Sequence, residues 1–262
     1  MAAPEPERER EPLAEATLIA HLIELRTRLL RSLVAVGIVA VPCMIYSNQL
    51  FTWMARPLLK VMPKGATMIA TSVIAPLVAP FKLAFYVALI VAMPYVLHQA
   101  WAFIAPGLYR HEKRFALPLL VSSIVLFYAG IAFAYFIVFP LIFTFFTGTT
   151  PVGVQMIPDI TQYLDTVLLL FLAFGLSFEI PVAIVLLVYT GLVRIETLRK
   201  NRGYVLIGVF IQAAVIVPPD VISQTAMALP MYALYEVGIV MASILAKGRL
   251  EARAREEREA GT

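Results

Sequence analysis

The sequence predicts an all-α, polytopic membrane protein of six transmembrane helices, and three observations carry that expectation. Of its 262 residues, 61% are hydrophobic and only 15% charged, whereas soluble domains run near about 45–50% apolar and roughly 25% charged. The apolar residues gather into six runs, most of them as long as the roughly 20 helical residues that a hydrocarbon core requires. The basic residues crowd into alternate connections between those runs, the pattern of the positive-inside rule. Mean hydropathy is +0.85. The net charge of +4 is therefore read as membrane topology, not as a nucleic-acid surface. The single cysteine, Cys43, excludes an internal disulfide and a thiolate metal centre.

Residues 1–17 read as a disordered arm in which Glu, Arg and Pro alternate. The first apolar run begins near Leu29 with no small-residue cleavage pattern close behind it, so it is expected to be an uncleaved span. Between arm and span, Leu18, Leu22, Leu25 and Leu29 fall on one helical face and His21, Glu24, Arg28 and Arg31 on the other. This spacing predicts an amphipathic surface helix leading into the bilayer.

The spans are expected at 30–47, 81–100, 115–146, 163–191, 204–217 and 226–246, with a charged tail over 247–262. Seventeen Lys or Arg residues lie on the side of the tails and of segments 101–114 and 192–203. Arg56, Lys60, Lys64 and Lys82 are the four on the other side, with segments 48–80, 147–162 and 218–225. Both termini are thus expected in the cytoplasm, which an even number of spans satisfies. The fifth run, Tyr204 to Val217, would cover only about 21 Å before Pro218 and Pro219 stop it. Local thinning of the bilayer is the favoured explanation. Pro42, Pro94, Pro118, Pro140, Pro181 and Pro230 sit in or beside the spans. They are expected to bend them into a cupped wall, although proline is also simply common in membrane helices.

Chemistry-bearing residues are few. Glu24 either pairs with Arg28 one turn on or is held at the interface for an incoming cation. Glu112 is the only acid in the segment Trp101–Arg114, where Pro106-Gly107 breaks the helix, and it either pairs with its basic neighbours or has a role of its own. Trp101, Phe103 and Tyr109 are placed like an interfacial aromatic belt. Glu179, in Leu176-Ser177-Phe178-Glu179-Ile180-Pro181, lies in mid-span. An intramembrane carboxylate faces a cavity or a partner by default, and Pro181 leaves the Ser177 carbonyl without its usual donor. Gln212 and Glu236 are weaker signals of the same kind. His21, His98 and His111 show no metal-ligand spacing, and no nucleophile-elbow or nucleotide-binding glycine motif appears. No enzyme activity, cofactor or metal is expected.

Several ordered stretches resemble one family, TatC of the twin-arginine protein translocase. They are His21-Leu-Ile-Glu-Leu-Arg26, Pro57-Leu58, Phe81-Lys82, Trp101-Ala-Phe-Ile-Ala-Pro-Gly-Leu108 with His111-Glu112, Ala134-Tyr135-Phe136, Phe174-Gly-Leu-Ser-Phe-Glu-Ile-Pro181, Pro218-Pro-Asp220 and Ser223-Gln224. The resemblance implies six helices in a concave, glove-like arrangement with the last two short, in the bacterial inner membrane. It implies a receptor for Arg-Arg signal peptides of folded proteins, driven by the proton-motive force. The implied partners are single-span TatA- and TatB-like proteins and further copies of the chain. The sequence itself contains no adjacent Arg-Arg pair, so it carries no such signal of its own.

The resemblance assigns the Arg-Arg contact to Glu24 and Glu112, with Arg26 and Phe103 shaping or supporting the site. Paired guanidinium–carboxylate geometry is something lysine cannot reproduce. Glu179 matches an intramembrane acid of the concave face, and Pro57, Asp220 and Gln224 match positions on the external side linked to assembly. One position departs: Val217 stands where relatives often have Thr, with Gln212 supplying a polar amide earlier in the helix. A secondary transporter using Glu179 as an ion or proton site is the alternative, without the inverted repeat such proteins usually show.

Overall fold

The computed structural model describes residues 10–61, 68–104, 113–151, 157–217 and 220–260, with side chains over 19–56, 68–104, 117–151, 157–217 and 220–248. Every regular element among them is helical apart from one isolated bridge, Ile69 with Asp159. Five helical stretches are long and apolar enough to cross a membrane: Ile19–Ile45, Ala75–Ile104, Leu117–Gly148, Ile160–Tyr189 and Val221–Gly248. Arg202–Ile216 is a shorter sixth.

Helix α1 (Arg10–Ile45) runs unbroken into the first span. It therefore begins inside the segment 1–17 expected to be a disordered arm; residues 1–9 lie outside the described residues. Glu, Arg, Ala and Leu are strong helix formers, and Pro12 falls in the first turn, where its missing N–H breaks no bond. The chain then turns at Tyr46 into α2 (Ser47–Val61), in a stretch read from sequence as a plain connection. Leu50, Phe51, Met54 and Ala55 pack inward from it. Tyr163 donates its hydroxyl to the Met54 carbonyl at 2.9 Å, and Trp53 stacks on Tyr135 at 6.4 Å.

Helix α3 (Ala75–Ile104) returns along α1. The third span is α4 (Lys113–Phe133), a π-helical segment Ala134–Val138, and α5 (Phe139–Gly148) in one continuous rod. Pro140 cannot donate to the Phe136 carbonyl, and the wider turn just before it absorbs that defect. It also aims Tyr135 at Trp53 and at Phe171 (6.2 Å).

Span four is broken into α6 (Ile160–Ser177) and α7 (Ile180–Tyr189) at Phe178-Glu179, directly before Pro181. Gly191, with φ +75°, closes α7, a left-handed position that glycine takes without steric cost. The short α8 (Ile195–Lys200) lies in the stretch expected as a loop. Helix α9 (Arg202–Ile216) is the short pass. Helix α10 (Val221–Ala260) continues through most of the stretch expected as a charged tail, since Ala, Glu and Arg favour helix even without a membrane.

Lipid supplies no hydrophobic force between helices, so close packing must hold them. A Cβ on Gly130 would lie 2.6 Å from the Phe174 carbonyl oxygen, and one on Gly238 would lie 2.9 Å from the Pro181 Cα. These glycines let α4 approach α6 and α10 approach α7. The core between them is aromatic and aliphatic: Phe127, Phe139, Leu164, Phe174, Met227 and Met231 are fully buried. The sixfold passage places the start of α1 and the end of α10 at one end of the bundle, called here the basic end. The bridge Ile69–Asp159 marks the opposite end.

Candidate functional site

At the basic end, His21 of α1 stacks on Phe103 of α3, their ring centroids 4.3 Å apart. This contact pins the amphipathic start of α1 to the last turn of α3, from which the chain enters the segment carrying Glu112. Glu112 lies outside the described residues. Glu24, half-buried one turn from His21, accepts from Arg28 Nε at 2.9 Å and Nη2 at 2.6 Å. Both bonds converge on Oε1, and Oε2 accepts nothing among the described residues. The local pair read from the i,i+4 spacing is therefore present, and it still leaves one carboxylate oxygen open. Arg26 is exposed and has no polar partner among the described residues.

A second polar group lies inside the bundle at the α6–α7 break. The Glu179 amide donates to the Leu176 carbonyl at 3.1 Å, and its own carbonyl accepts from Ala183 at 2.9 Å. Its side chain caps nothing, and Oε1 is buried without a partner among the described residues. The neighbouring hydroxyl is Ser123 of α4, itself buried and accepting from the Trp101 indole N–H at 3.1 Å. On the other side of the break, Gln212 Nε2 of α9 donates to Ser177 Oγ at 3.4 Å. The set thus draws on α3, α4, the α6–α7 break and α9. Trp101 is buried and bonded here.

Glu236 has a different setting. It accepts from Arg202 Nη2 at 2.6 Å on Oε2 and from the Tyr232 hydroxyl at 2.9 Å on Oε1. Arg202 opens α9, so this acid ties α9 to α10 near the basic end and stands apart from the Glu179 group. Of the three acids and amides singled out within spans, Glu179 alone retains a buried oxygen without a partner.

At the opposite end, Asp220 accepts from the Ser223 amide at 2.7 Å and so starts α10. Gln224 Nε2 donates to the Phe210 carbonyl at 3.0 Å. Gln224 also borders a groove of about 310 Å³ on the outer face of α9 with Leu206, Phe210 and Ile211. Val217 is buried and extended at the end of α9, and Pro218 and Pro219 are outside the described residues. Pro57 lies within α2, and its side chain is outside the described set.

Sequence reasoning missed two devices at this end. Asp159 takes the Thr71 amide (3.0 Å) and hydroxyl (2.7 Å) on Oδ2. Its Oδ1 takes the Thr161 and Gln162 amides that begin α6. The Thr71 hydroxyl above all, then the Thr71 amide and the two helix amides, hold its carboxyl down at about 2. Asp165 pairs with Lys82 across α6 and α3. Nothing local in the sequence signals either pairing, because the partners are far apart along the chain. Ser122-Ser123 in the third span was a visible cue for the buried hydroxyl, since small polar residues in spans mark helix contacts.

Known proteins resemble this chain over most of its length. A family model described as Sec-independent protein translocase protein (TatC) matches residues 20–230. A Sec-independent protein translocase protein TatC from Azotobacter chroococcum is 54% identical over 222 residues, 85% of this chain and 87% of its own length. The protein of the same name from Escherichia coli K12 is 52% identical over 233 residues, 88% of this chain and 90% of its own. A crystal structure of a twin arginine translocase receptor, TatC, superposes with a TM-score of 0.78 at 38% identity, covering 86% of this chain and 98% of that one.

Proposed function

This chain belongs to the TatC family of Sec-independent protein translocase proteins, and from that premise we propose how it recognises cargo and meets its partners. It is a multi-pass membrane subunit of the twin-arginine translocase, with a transport role. In our reading Glu24 and Glu112 together receive the two adjacent arginines of a signal peptide. The observation that supports this most is the His21–Phe103 stack, which ties the helix bearing Glu24 to the helix that leads toward Glu112. The open Oε2 of Glu24 offers an incoming guanidinium an acceptor without displacing Arg28. A bidentate arginine fork fits such a pair of acids and an ammonium does not. Arg26 and Phe103 shape the approach.

The basic end then faces the cytoplasm, with both termini on the cytoplasmic side of the bacterial inner membrane. Glu179, with Ser123 beside it and Gln212 across the α6–α7 break, receives the deeper part of the peptide or a polar group on a partner helix, since a buried carboxylate oxygen in a span calls for a donor. Single-span TatA- and TatB-like subunits lie along α9, where the Gln224 groove opens. Asp220, Gln224 and Pro57 serve assembly at the external end, and the cycle draws on the proton-motive force. Membership of a protein-translocase family leaves the small-solute transporter alternative with no observation in its favour.

The test is site-specific photocrosslinking from position 112 to a signal peptide bearing Arg-Arg or Lys-Lys. The reading expects strong adducts with Arg-Arg and sharply weaker ones with Lys-Lys. Equal adducts would reject carboxylate–guanidinium recognition.

A further inference from the structure

Helix α1 is the least covered span: only 11% of its most apolar window is buried, against 28–50% in the other long spans. Its exposed side forms a groove of about 520 Å³ with α3, within the range of small-ligand sites. Thr27 and Arg31 line the end nearer the start of α1, and Val34 and Ile38 line the end nearer the bundle middle, with Tyr95 of α3 alongside. The lining thus changes from cationic and polar to wholly apolar along the helix axis.

Arg31 is out of place for an ordinary span. Fourteen residues separate it from Ile45, where α1 ends and α2 turns away. That is about 21 Å at 1.5 Å per residue, against a hydrocarbon core of about 30 Å. Its backbone is therefore expected about 9 Å below the edge of the hydrocarbon core, a depth from which an arginine snorkels back to the interface. Three other cations near span boundaries hold anions: Arg28 holds Glu24, Lys82 holds Asp165, and Arg202 holds Glu236. Arg31 has none among the described residues, and Glu24, two turns above, bonds Arg28 rather than Arg31. A guanidinium that snorkels from this depth reaches the level of the lipid phosphates, where an anion can meet it.

We propose that the α1–α3 groove binds an anionic phospholipid, with the phosphate on Arg31 and an acyl chain along Val34 and Ile38. The polarity gradient of the lining has the same direction as that of a lipid. Basic pockets between helices on this side of a membrane suit such headgroups. The positive charge of Arg31 also selects against a cationic Arg-Arg peptide as the occupant. Helix α9, 15 residues long and opened by Arg202, sets a similar depth of about 22 Å. Lipid drawn down at Arg31 would thin the bilayer to match it.

The experiment uses the full-length protein in nanodiscs of equal parts phosphatidylglycerol and phosphatidylcholine, with lipid retained after detergent extraction counted by native mass spectrometry. Phosphatidylglycerol should be retained about tenfold over phosphatidylcholine, the scale of one charge-assisted contact. Arg31→Gln should bring that ratio close to parity, and Arg31→Lys should keep part of it. Val34→Trp, which fills the groove and leaves the charge, should lower retention of both lipids. Arg199→Gln, an exposed arginine on α8, should leave the ratio unchanged. Full preference in Arg31→Gln, or an equal loss in Arg199→Gln, overturns the proposal. Added inorganic phosphate should not displace the lipid; if it does, the site holds a free anion and the proposal fails.

Discussion

The imidazole of His21 lies on the ring of Phe103 with 4.3 Å between centroids, and this one contact joins the two segments that our reading assigns to signal-peptide recognition. An aromatic pair of this kind contributes about 1 kcal/mol beyond its buried area. Phe103→Ala should therefore weaken Arg-Arg peptide binding about fivefold, while Phe103→Trp should preserve it. Equilibrium binding of a labelled peptide to the protein in nanodiscs measures both. Equal binding by all three would separate the stack from recognition.

Ser123 has two dependants: the Trp101 indole N–H that it accepts and the Glu179 carboxylate beside it. Ser123→Ala removes the acceptor from a buried donor, a loss of about 1–3 kcal/mol in stability, read as a lower unfolding midpoint. Glu179→Ala removes an oxygen that has no partner among the described residues, so it should leave the midpoint within about 0.5 kcal/mol of the parent while export collapses. Unfolding of Glu179→Ala instead would make the acid structural.

The Arg202–Glu236 pair, only partly shielded from solvent, should couple α9 to α10 by no more than about 1 kcal/mol. A double-mutant cycle with Arg202→Gln and Glu236→Gln gives that coupling. Coupling well above about 1 kcal/mol, or an export defect in Glu236→Gln as severe as that of Glu179→Gln, would contradict this account of the pair.

The Asp159 staple makes a statement about pH. Its carboxyl sits at about 2 in the folded protein, below the ordinary aspartate value near 3.9. Stability from the ionised form is therefore fully present above about pH 4 and lost as pH falls through about 2. Hydrogen exchange at the Thr71 amide should stay slow at pH 4–5 and quicken below that window. Asp159→Ala should remove the protection throughout. Loss of protection already at pH 5 in the parent would show that other groups govern this end.

Much of this architecture was legible in the residues. Apolar runs of span length, basic residues in alternate connections and the lone mid-span acid Glu179 are local patterns, and the helices follow them to within a few residues at most ends. The short fifth pass was visible because a count from Tyr204 to Val217 needs no partner. What stayed hidden depends on contacts distant in the chain. Helix α2 looked like a connection because its inward residues acquire meaning only against Tyr135 and Tyr163. The π segment is set by Pro140 together with the packing of Tyr135. The Trp101–Ser123 bond joins two helices, and Asp159 drew no expectation because its partner Thr71 lies 88 residues away. Glu24 shows the middle case. Its pair with Arg28 follows from spacing, whereas the freedom of its second oxygen needed coordinates.

The account rests on two carboxylates at the basic end acting as one receptor for paired guanidinium groups. Its most direct test is the affinity of an Arg-Arg signal peptide for the Glu24→Gln/Glu112→Gln protein in nanodiscs, beside the parent. With two charge-assisted contacts removed, binding should fall by about a hundredfold or more, and the already weak Lys-Lys peptide should change little. Undiminished Arg-Arg binding by the doubly neutralised protein would contradict the account.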